Sequence, residues 1–169
     1  MKKLTVSVLL LSLLLTACSS KAPKPTLSYE ERTDLYETAI EAARDHTANE
    51  TFPLIDDADD DAAQTVFDLL NLSDEDMNAY AISVSLMNTK AYAIAAIYPA
   101  ADKKDAVLES LRRFVSNRQQ TFKEYLTDQY EIAVNTRLET LEDGTVLLVM
   151  CDNQDALFDA IRDTIERRK

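Results

Sequence analysis

The stretch that decides the fold is Tyr80–Tyr98, with the sequence YAISVSLMNTKAYAIAAIY. Bulky side chains alternate with alanine or serine on either side of a short polar turn: Tyr80, Ile82, Val84 and Leu86 come before the turn, and Tyr92, Ile94 and Tyr98 come after it. A period of two residues on both sides of a turn at Met87–Lys90 predicts a β-hairpin. We expect one face of this hairpin to be bulky and the other to be small. Either a helix packs closely on the small face, or that face is a docking surface for a partner.

Helical patterns come before the hairpin. Ser28 and Glu31 form a capping box, which predicts a helix from Tyr29 to Asp45. A polar loop over residues 47–61 and a short helix over residues 62–70 follow. These N-terminal helices precede the predicted sheet.

The strongest helical pattern follows the hairpin. Apolar residues recur at helical spacing from Asp102, which is a good N-cap residue, to Leu126. A helix over these residues is about 36 Å long. The spacing places Arg118 and Tyr125 on its apolar face.

The last third of the chain repeats the order of strand, strand and helix. Asp143 and Gly144 separate two extended runs and predict a second hairpin, because glycine adopts a positive φ without steric cost. The unbroken apolar run at 145–151 predicts an interior strand, and a final helix starts after Asp152 or Asn153. The sequence therefore predicts an α+β fold in which two ββα halves form an antiparallel four-stranded sheet with packed helices. We expect residues 28–169 to form this single domain.

The N-terminus has the pattern of a bacterial lipoprotein signal. Two lysines precede the apolar run Leu4–Leu15, which ends in the sequence LTAC at residues 15–18. This ending resembles a lipobox, and the resemblance implies that the Cys18 thiol receives a diacylglycerol and that residues 1–17 are removed as a signal peptide. The alternative is an ordinary secretory signal with a chance cysteine. Residues 18–27, which contain two prolines, would then be the lipidated cysteine and a flexible tether.

The second cysteine, Cys151, ends the apolar run of the last predicted strand. If Cys18 is lipidated, no intramolecular disulfide can form. A buried structural thiol is favoured over a nucleophile, because no general base is recognisable near Cys151 in the sequence.

Composition excludes several classes of protein. The 169 residues include 30 acidic and 18 basic side chains, for a formal net charge of -12. This balance argues against a nucleic-acid partner, which needs lysine and arginine to neutralise phosphates. One glycine and one histidine exclude a glycine-rich phosphate loop and a histidine-rich metal site. The sequence predicts no cofactor and no recognisable set of catalytic residues.

The densest run of acidic residues is a candidate metal site. Asp57, Asp59 and Asp61 occupy positions one, three and five of a calcium-loop pattern, and Asp68 occupies position twelve. Ala62 stands at position six where the pattern has glycine, and Asp68 replaces the bidentate glutamate. The alternative is a solvated acidic loop that leads into a helix N-terminus.

The predicted long helix carries the candidate ligand-binding residues. Arg118 lies on its apolar side, and Tyr125 shares that side. A buried arginine of this kind either extends its stem along the core and pairs with an acid, or binds an anionic ligand.

Several stretches from about Leu69 to the C-terminus carry a family resemblance: Leu72–Met77 leading into Tyr80–Asn88, the segment Ala93–Ala95, the polar residues Arg118 and Gln120, the pair Gln129 and Tyr130, and the run Gly144–Val149. On these residues, together with the lipobox, the chain resembles a family of uncharacterised lipoproteins of Gram-positive, clostridia-type bacteria, described as a domain of unknown function. The resemblance implies a source and a membrane anchor, and it implies no established activity.

The sequence thus favours a membrane-anchored, extracytoplasmic lipoprotein that acts as a binding or accessory module at the cell envelope. Its expected partners are the membrane, through the anchor at Cys18, and an envelope protein or wall polymer. Two alternatives stay open. One is an envelope enzyme that acts on cell-wall glycan through carboxylates and Arg118, and the other is a calcium-responsive surface domain.

Overall fold

The computed structural model describes residues 27–168. The predicted signal peptide, Cys18 and residues 18–26 of the predicted tether lie outside the described residues. Within residues 27–168, none of the helices has the length and apolar character needed to cross a membrane.

Six α-helices and four β-strands form the described part of the chain. In order they are α1 (Tyr29–Ala43), α2 (His46–Thr51), α3 (Ala63–Leu70), β1 (Met77–Val84), β2 (Ala93–Pro99), α4 (Lys104–Phe122), α5 (Thr127–Val134), β3 (Arg137–Thr140), β4 (Val146–Met150) and α6 (Gln154–Arg167).

The four strands form one antiparallel sheet in the order β1-β2-β4-β3. Each hairpin supplies one outer and one inner strand, so the two ββα halves meet between β2 and β4. This arrangement confirms the predicted fold class. It also confirms that the apolar run Val146–Met150 is an interior strand, because β4 is paired on both edges and all five of its residues are buried.

Helices cover both faces of the sheet. On one face, α3, α4 and α5 contribute to a core that includes Phe67, Leu111 and Phe122. On the other face, α1 and α6 contribute a second core that includes Tyr36 and Phe158. The sheet is therefore the middle layer of three.

The register of the first hairpin differs from the expectation of one bulky face and one small face. Val84 lies opposite Ala93, Ile82 opposite Ala95, and Ser83 opposite Ile94. Residues directly opposite each other point to the same face, so the bulky positions of β1 share a face with the small positions of β2. The prediction of a small face was therefore wrong, because each face carries both bulky and small residues. The predicted docking surface on that face was also wrong, because helices bury both faces.

The long helix is shorter than predicted at both ends. It starts after Lys103, because Asp102 has a left-handed backbone with φ of 64° and does not serve as the N-cap. It ends at Phe122, and the Lys123 amide donates to the Gln119 carbonyl oxygen at 3.1 Å. Tyr125 lies beyond the end of the helix and is 90% exposed, so the prediction that it lies on the apolar face was wrong.

The predicted polar loop contains the short helix α2. The Asp45 side chain accepts a hydrogen bond from the Ala48 amide at 2.7 Å and caps this helix. An N-cap aspartate explains why the chain turns into a second helix directly after α1 ends at Ala43. This turn brings the C-terminal end of α1 close to the end of the sheet.

The two ends of the sheet differ, and we name them by one residue each. At the Gly144 end, the hairpin between β3 and β4 turns at Asp143 and Gly144 as predicted, with a φ of 95° at Gly144. At the Lys90 end lie the turn between β1 and β2 and the end of β4 at Met150. Tyr92 and Tyr98 are near opposite ends of the same extended segment, so the two ends are about 20 Å apart.

Candidate functional site

A cleft of about 260 Å³ opens at the Lys90 end of the sheet. It lies between the C-terminal end of α1, helix α2 and the N-terminal end of α6. Arg44, Phe52 and Tyr92 line it on one side, and Lys90 and Cys151 line it toward the sheet. Polar groups from four elements thus converge in a space that the core packing leaves open.

Arg44 is held in this cleft by the way α1 ends. Its backbone N–H donates to the Ile40 carbonyl oxygen at 3.1 Å, and its own backbone is extended, so the side chain turns back toward the sheet. The residue is only 7% exposed. Because its backbone is fixed by the helix end and its nitrogen atoms are hydrogen-bonded, the guanidinium group occupies a defined position in the lining of the cleft.

The hydrogen bonds of Arg44 all go to uncharged acceptors. Nε donates to Asn49 Oδ1 at 2.7 Å, and Nη1 donates to the Phe52 carbonyl oxygen at 2.9 Å. Nη1 also lies 2.9 Å from Ser83 Oγ and 3.1 Å from the Tyr92 hydroxyl oxygen. Among the described residues no carboxylate forms an ion pair with Arg44.

Two stacked aromatic rings support this arrangement. The rings of Phe52 and Tyr92 have centroids 3.9 Å apart and an interplanar angle of 15°. Burial raises the pKa of Tyr92, with a smaller opposing effect of the hydrogen bond from Arg44. The phenol is therefore neutral at physiological pH and cannot supply a negative charge to Arg44.

The rim of the cleft carries further charges. Lys90 Nζ lies 3.7 Å from a carboxylate oxygen of Asp152. Helix α6 starts after Asn153, whose φ is 57° and whose side chain makes no capping hydrogen bond. The first amides of α6 therefore have no side-chain cap, and the N-terminal end of a helix attracts anions.

The chain has three buried arginines in its described part, and they differ in their partners. Arg32 Nη1 donates to Asp143 Oδ2 at 2.6 Å, so its charge is paired. Arg44 and Arg118 have no carboxylate partner within residues 27–168. Arg44 alone of the three lines the cleft.

Arg118 lies where the helical spacing predicted, on the apolar side of α4, with 7% of its surface exposed. The expected acid partner was wrong: its Nη2 donates to the Ser85 carbonyl oxygen at 3.4 Å, and its guanidinium lies 5.3 Å from the centroid of the Phe114 ring. Burial lowers the pKa of Arg118. The structure does not join Arg118 and Tyr125 in one site, because Tyr125 points into solvent.

The acidic loop uses its carboxylates to hold its own backbone. Asp57 Oδ1 accepts from the Asp59 amide at 2.9 Å, and Asp60 Oδ2 accepts from the Asp56 amide at 3.2 Å. In residues 27–168 no three His, Cys, Asp or Glu side chains are grouped so that they could hold a metal ion. Asp57, Asp59 and Asp61 as calcium ligands stay a prediction.

Glu37 and Asp56 have raised pKa values, the feature that an acid catalyst would need. Burial is the largest cause for both, and repulsion follows, from Asp56 on Glu37 and from Asp60 on Asp56. Neither residue lines the cleft. The two carboxylates that do line the cleft, Asp45 and Asp152, are both exposed.

Cys151 is buried, as predicted, and it is a free thiol among the described residues. Burial, with a smaller effect from Asp152, raises its pKa to about 12. Almost none of the thiol is therefore the nucleophilic thiolate at physiological pH.

We expect the Cys151 thiol of the folded Cys18→Ala variant to react with a disulfide reagent at pH 8 at least about tenfold more slowly than the thiol of the same variant in urea. The reason is the combined burial and raised pKa. The rate of release of the coloured thiol product measures it. Equal rates in the folded and unfolded protein would show that the thiol is accessible and would contradict a structural role.

Sequence reasoning missed Arg44 and Tyr92. Arg44 lies at the end of the predicted helix Tyr29–Asp45 among other charged residues, and no local pattern distinguishes it. Its acceptors Ser83 and Tyr92 are 39 and 48 residues away, so its burial depends on how the helix end meets the sheet.

Residues 53–151 match the family model described as "Domain of unknown function (DUF4358)". The match contains the whole sheet with α3, α4 and α5, whereas α1 and α6 lie outside it. No curated protein and no solved structure matched the chain. Because the match covers more than half of the 169 residues, it confirms the resemblance to a domain of unknown function, and the chain belongs to the DUF4358 family.

Proposed function

We propose that this DUF4358 protein is a lipid-anchored, extracytoplasmic binding module of a Gram-positive cell envelope, and that the cleft at the Lys90 end is its binding site. The observation that carries the binding role is the convergence of Arg44, Lys90 and Tyr92 in a cleft at that end of the sheet, beside the N-terminal end of α6. Binding sites are usually clefts with a few convergent polar groups. The lipobox-like sequence before Cys18 supports the anchor.

The position of the first described residues agrees with such an anchor. Leu27 leads directly into α1, and the ring of Tyr29 lies 6.2 Å from the ring of Tyr98 at the Gly144 end. The Arg32 guanidinium lies 4.1 Å from the centroid of the same Tyr98 ring. A tether that precedes residue 27 therefore leaves the domain at the end opposite to the cleft. The tether would then join the anchored domain at the end that does not contain the cleft.

The anchor is tested by Cys18→Ala in the full-length protein, produced in a Gram-positive host that is fed radiolabelled palmitate. We expect the variant to lose the label and to leave the membrane fraction, because two acyl chains on Cys18 would provide stable anchoring. Cys151→Ala is the matched control, and it should keep both the label and the membrane fraction. Cys18→Ala protein that stays labelled in the membrane fraction would disprove the lipobox assignment.

A further inference from the structure

We infer that the cleft takes an anionic oxygen ligand, a carboxylate or phosphate group of a small solute, and that Nη2 of Arg44 is its main donor. This inference rests on the proposed binding function and names the class of ligand that the same cleft would hold.

The nitrogen atoms of Arg44 differ in whether they have an acceptor. Nε and Nη1 make all four of its hydrogen bonds. Nη2 has no acceptor among the described residues. No buried side-chain nitrogen or oxygen in the described part lacks a partner, so Nη2 must reach solvent. Because Arg44 lines the cleft, the cleft is where Nη2 offers its two N–H groups.

Within residues 27–168, the positive charge of Arg44 has no counter-charge from a carboxylate. A buried guanidinium group carries a large desolvation cost unless an opposite charge compensates it. The same chain provides that compensation for Arg32, whose Nη1 lies 2.6 Å from Asp143 Oδ2. Around Arg44 every acceptor is neutral. A bound anion would supply the missing counter-charge, and charge-assisted hydrogen bonds from a fixed guanidinium group are among the strong ones in proteins.

Other charged groups also line the cleft. Asp45 and Asp152 are the two carboxylates that line it, and both are exposed. Asp45 already caps α2, and Asp152 lies 3.7 Å from Lys90 Nζ. Solvent screens these exposed charges far more than the buried charge of Arg44, so the electrostatic potential beside Arg44 stays positive. Lys90 and the uncapped amides of α6 add to that potential.

The volume of the cleft limits the size of its ligand. A cleft of about 260 Å³ is smaller than most pockets for drug-sized ligands, so it suits a small solute. Phe52 and Leu157 line it beside the polar groups and provide contact for an apolar part of that solute.

The test is a titration of the full-length, ¹⁵N-labelled protein in detergent micelles, followed by NMR. Sodium phosphate and sodium acetate are separate arms that distinguish the two oxyanions, and sodium chloride at equal ionic strength is the blank. We expect saturable shifts of the backbone amides of Tyr92, Cys151 and Asn153, which all line the cleft, with at least one of the two oxyanions. Arg44→Gln should weaken that binding at least about tenfold, since it removes the charged donor.

Arg118→Gln is the matched control, because Arg118 is equally buried and equally without an acid partner but lies outside the cleft. It should leave the affinity unchanged. Where Arg44→Gln does not fold, Lys90→Ala provides the second variant: its side chain is 34% exposed, and we expect a severalfold loss of affinity.

The inference would be overturned if neither oxyanion causes a saturable shift of the wild-type amides. It would also be overturned if folded Arg44→Gln binds the oxyanion with unchanged affinity. Where Arg44→Gln does not fold, unchanged affinity of Lys90→Ala would overturn it. A neutral probe, N-acetylglucosamine, separates this failure from that of the proposed function. If the neutral sugar shifts the amides of the cleft and the anions do not, the ligand class is wrong and the binding role stands. The Cys18→Ala variant tests independently whether the protein is anchored to the membrane.

Discussion

Phe158→Ala will lower the free energy of unfolding by about 3–5 kcal/mol, the usual range for removing a fully buried aromatic ring. Phe158 is 0% exposed and lies in the core that α1 and α6 form against the sheet. The Arg137 guanidinium lies 3.8 Å from the centroid of its ring, so the substitution also removes a cation–π contact. Urea unfolding followed by circular dichroism at 222 nm, a routine wavelength for helices, measures the loss.

A substitution at the surface is the matched control for Phe158→Ala. Leu86→Ala removes a large apolar side chain that is 50% exposed, and we expect it to cost less than about 1 kcal/mol. Helix α6 lies outside the range that matches the family. A loss below about 1 kcal/mol for Phe158→Ala would mean that α6 is an appendage, whereas the expected loss makes it a structural part of the fold.

Asp143→Asn will cost about 3 kcal/mol at neutral pH, because it leaves the Arg32 charge buried without its partner. The side chains of Arg32 and Asp143 are only 10% and 12% exposed, and the two groups meet at 2.6 Å. Asparagine keeps the shape of the side chain and an acceptor for the Thr145 amide, which now donates to Asp143 Oδ1 at 3.0 Å. The substitution therefore tests the charge more than the turn.

The cost of Asp143→Asn should depend on pH. Burial by itself raises the pKa of Asp143, but the hydrogen bonds from Arg32 and Thr145 outweigh burial and lower it overall. A carboxyl whose folded pKa is below its unfolded pKa contributes its stability at pH values above the unfolded pKa of about 4. That contribution is lost as the pH falls through the lowered, folded pKa. The difference in stability between wild type and variant should therefore narrow in strong acid.

Glu139→Gln is the control for this pair. Arg137 and Glu139 also meet at 2.6 Å, but their side chains are 23% and 49% exposed. Solvent screens an exposed pair, so we expect less than about 1 kcal/mol. Urea unfolding of the wild type and both variants at pH 7 and at pH 3 measures all of these effects. Equal costs for Asp143→Asn and Glu139→Gln would show that burial does not strengthen the Arg32–Asp143 pair.

The sequence predicted those features that depend on neighbours along the chain. Alternation placed the hairpin between β1 and β2, the pair Asp143 and Gly144 placed the second one, and the capping box at Ser28 placed the start of α1. The physical reason is that caps, turns and periodicity act within a few residues. The boundaries of α4 failed where a local choice was ambiguous, since Asp102 can be an N-cap or adopt a left-handed conformation.

Features that depend on pairing across the fold could not be predicted in this way. Each strand of the first hairpin shows its own alternation, but only the register decides that Ile82 faces Ala95. The burial of Arg118 followed from its helical spacing, whereas its lack of an acid partner depended on the segment after β1, which places the Ser85 carbonyl oxygen beside it. The cleft depended on three separate segments meeting at Arg44, and no segment shows the others in its own sequence.

The opposite directions of α1 and α6 have a practical consequence for handling the molecule. Helix α1 ends at the cleft and α6 begins there, so the described chain starts and finishes away from it. The 14 residues of α6 carry its last turn about 20 Å from its first. A tag, a fluorophore or a biosensor surface attached beyond the C-terminal end of α6 will therefore begin about 20 Å from the cleft. Attachment there leaves the cleft open to solutes in the flow.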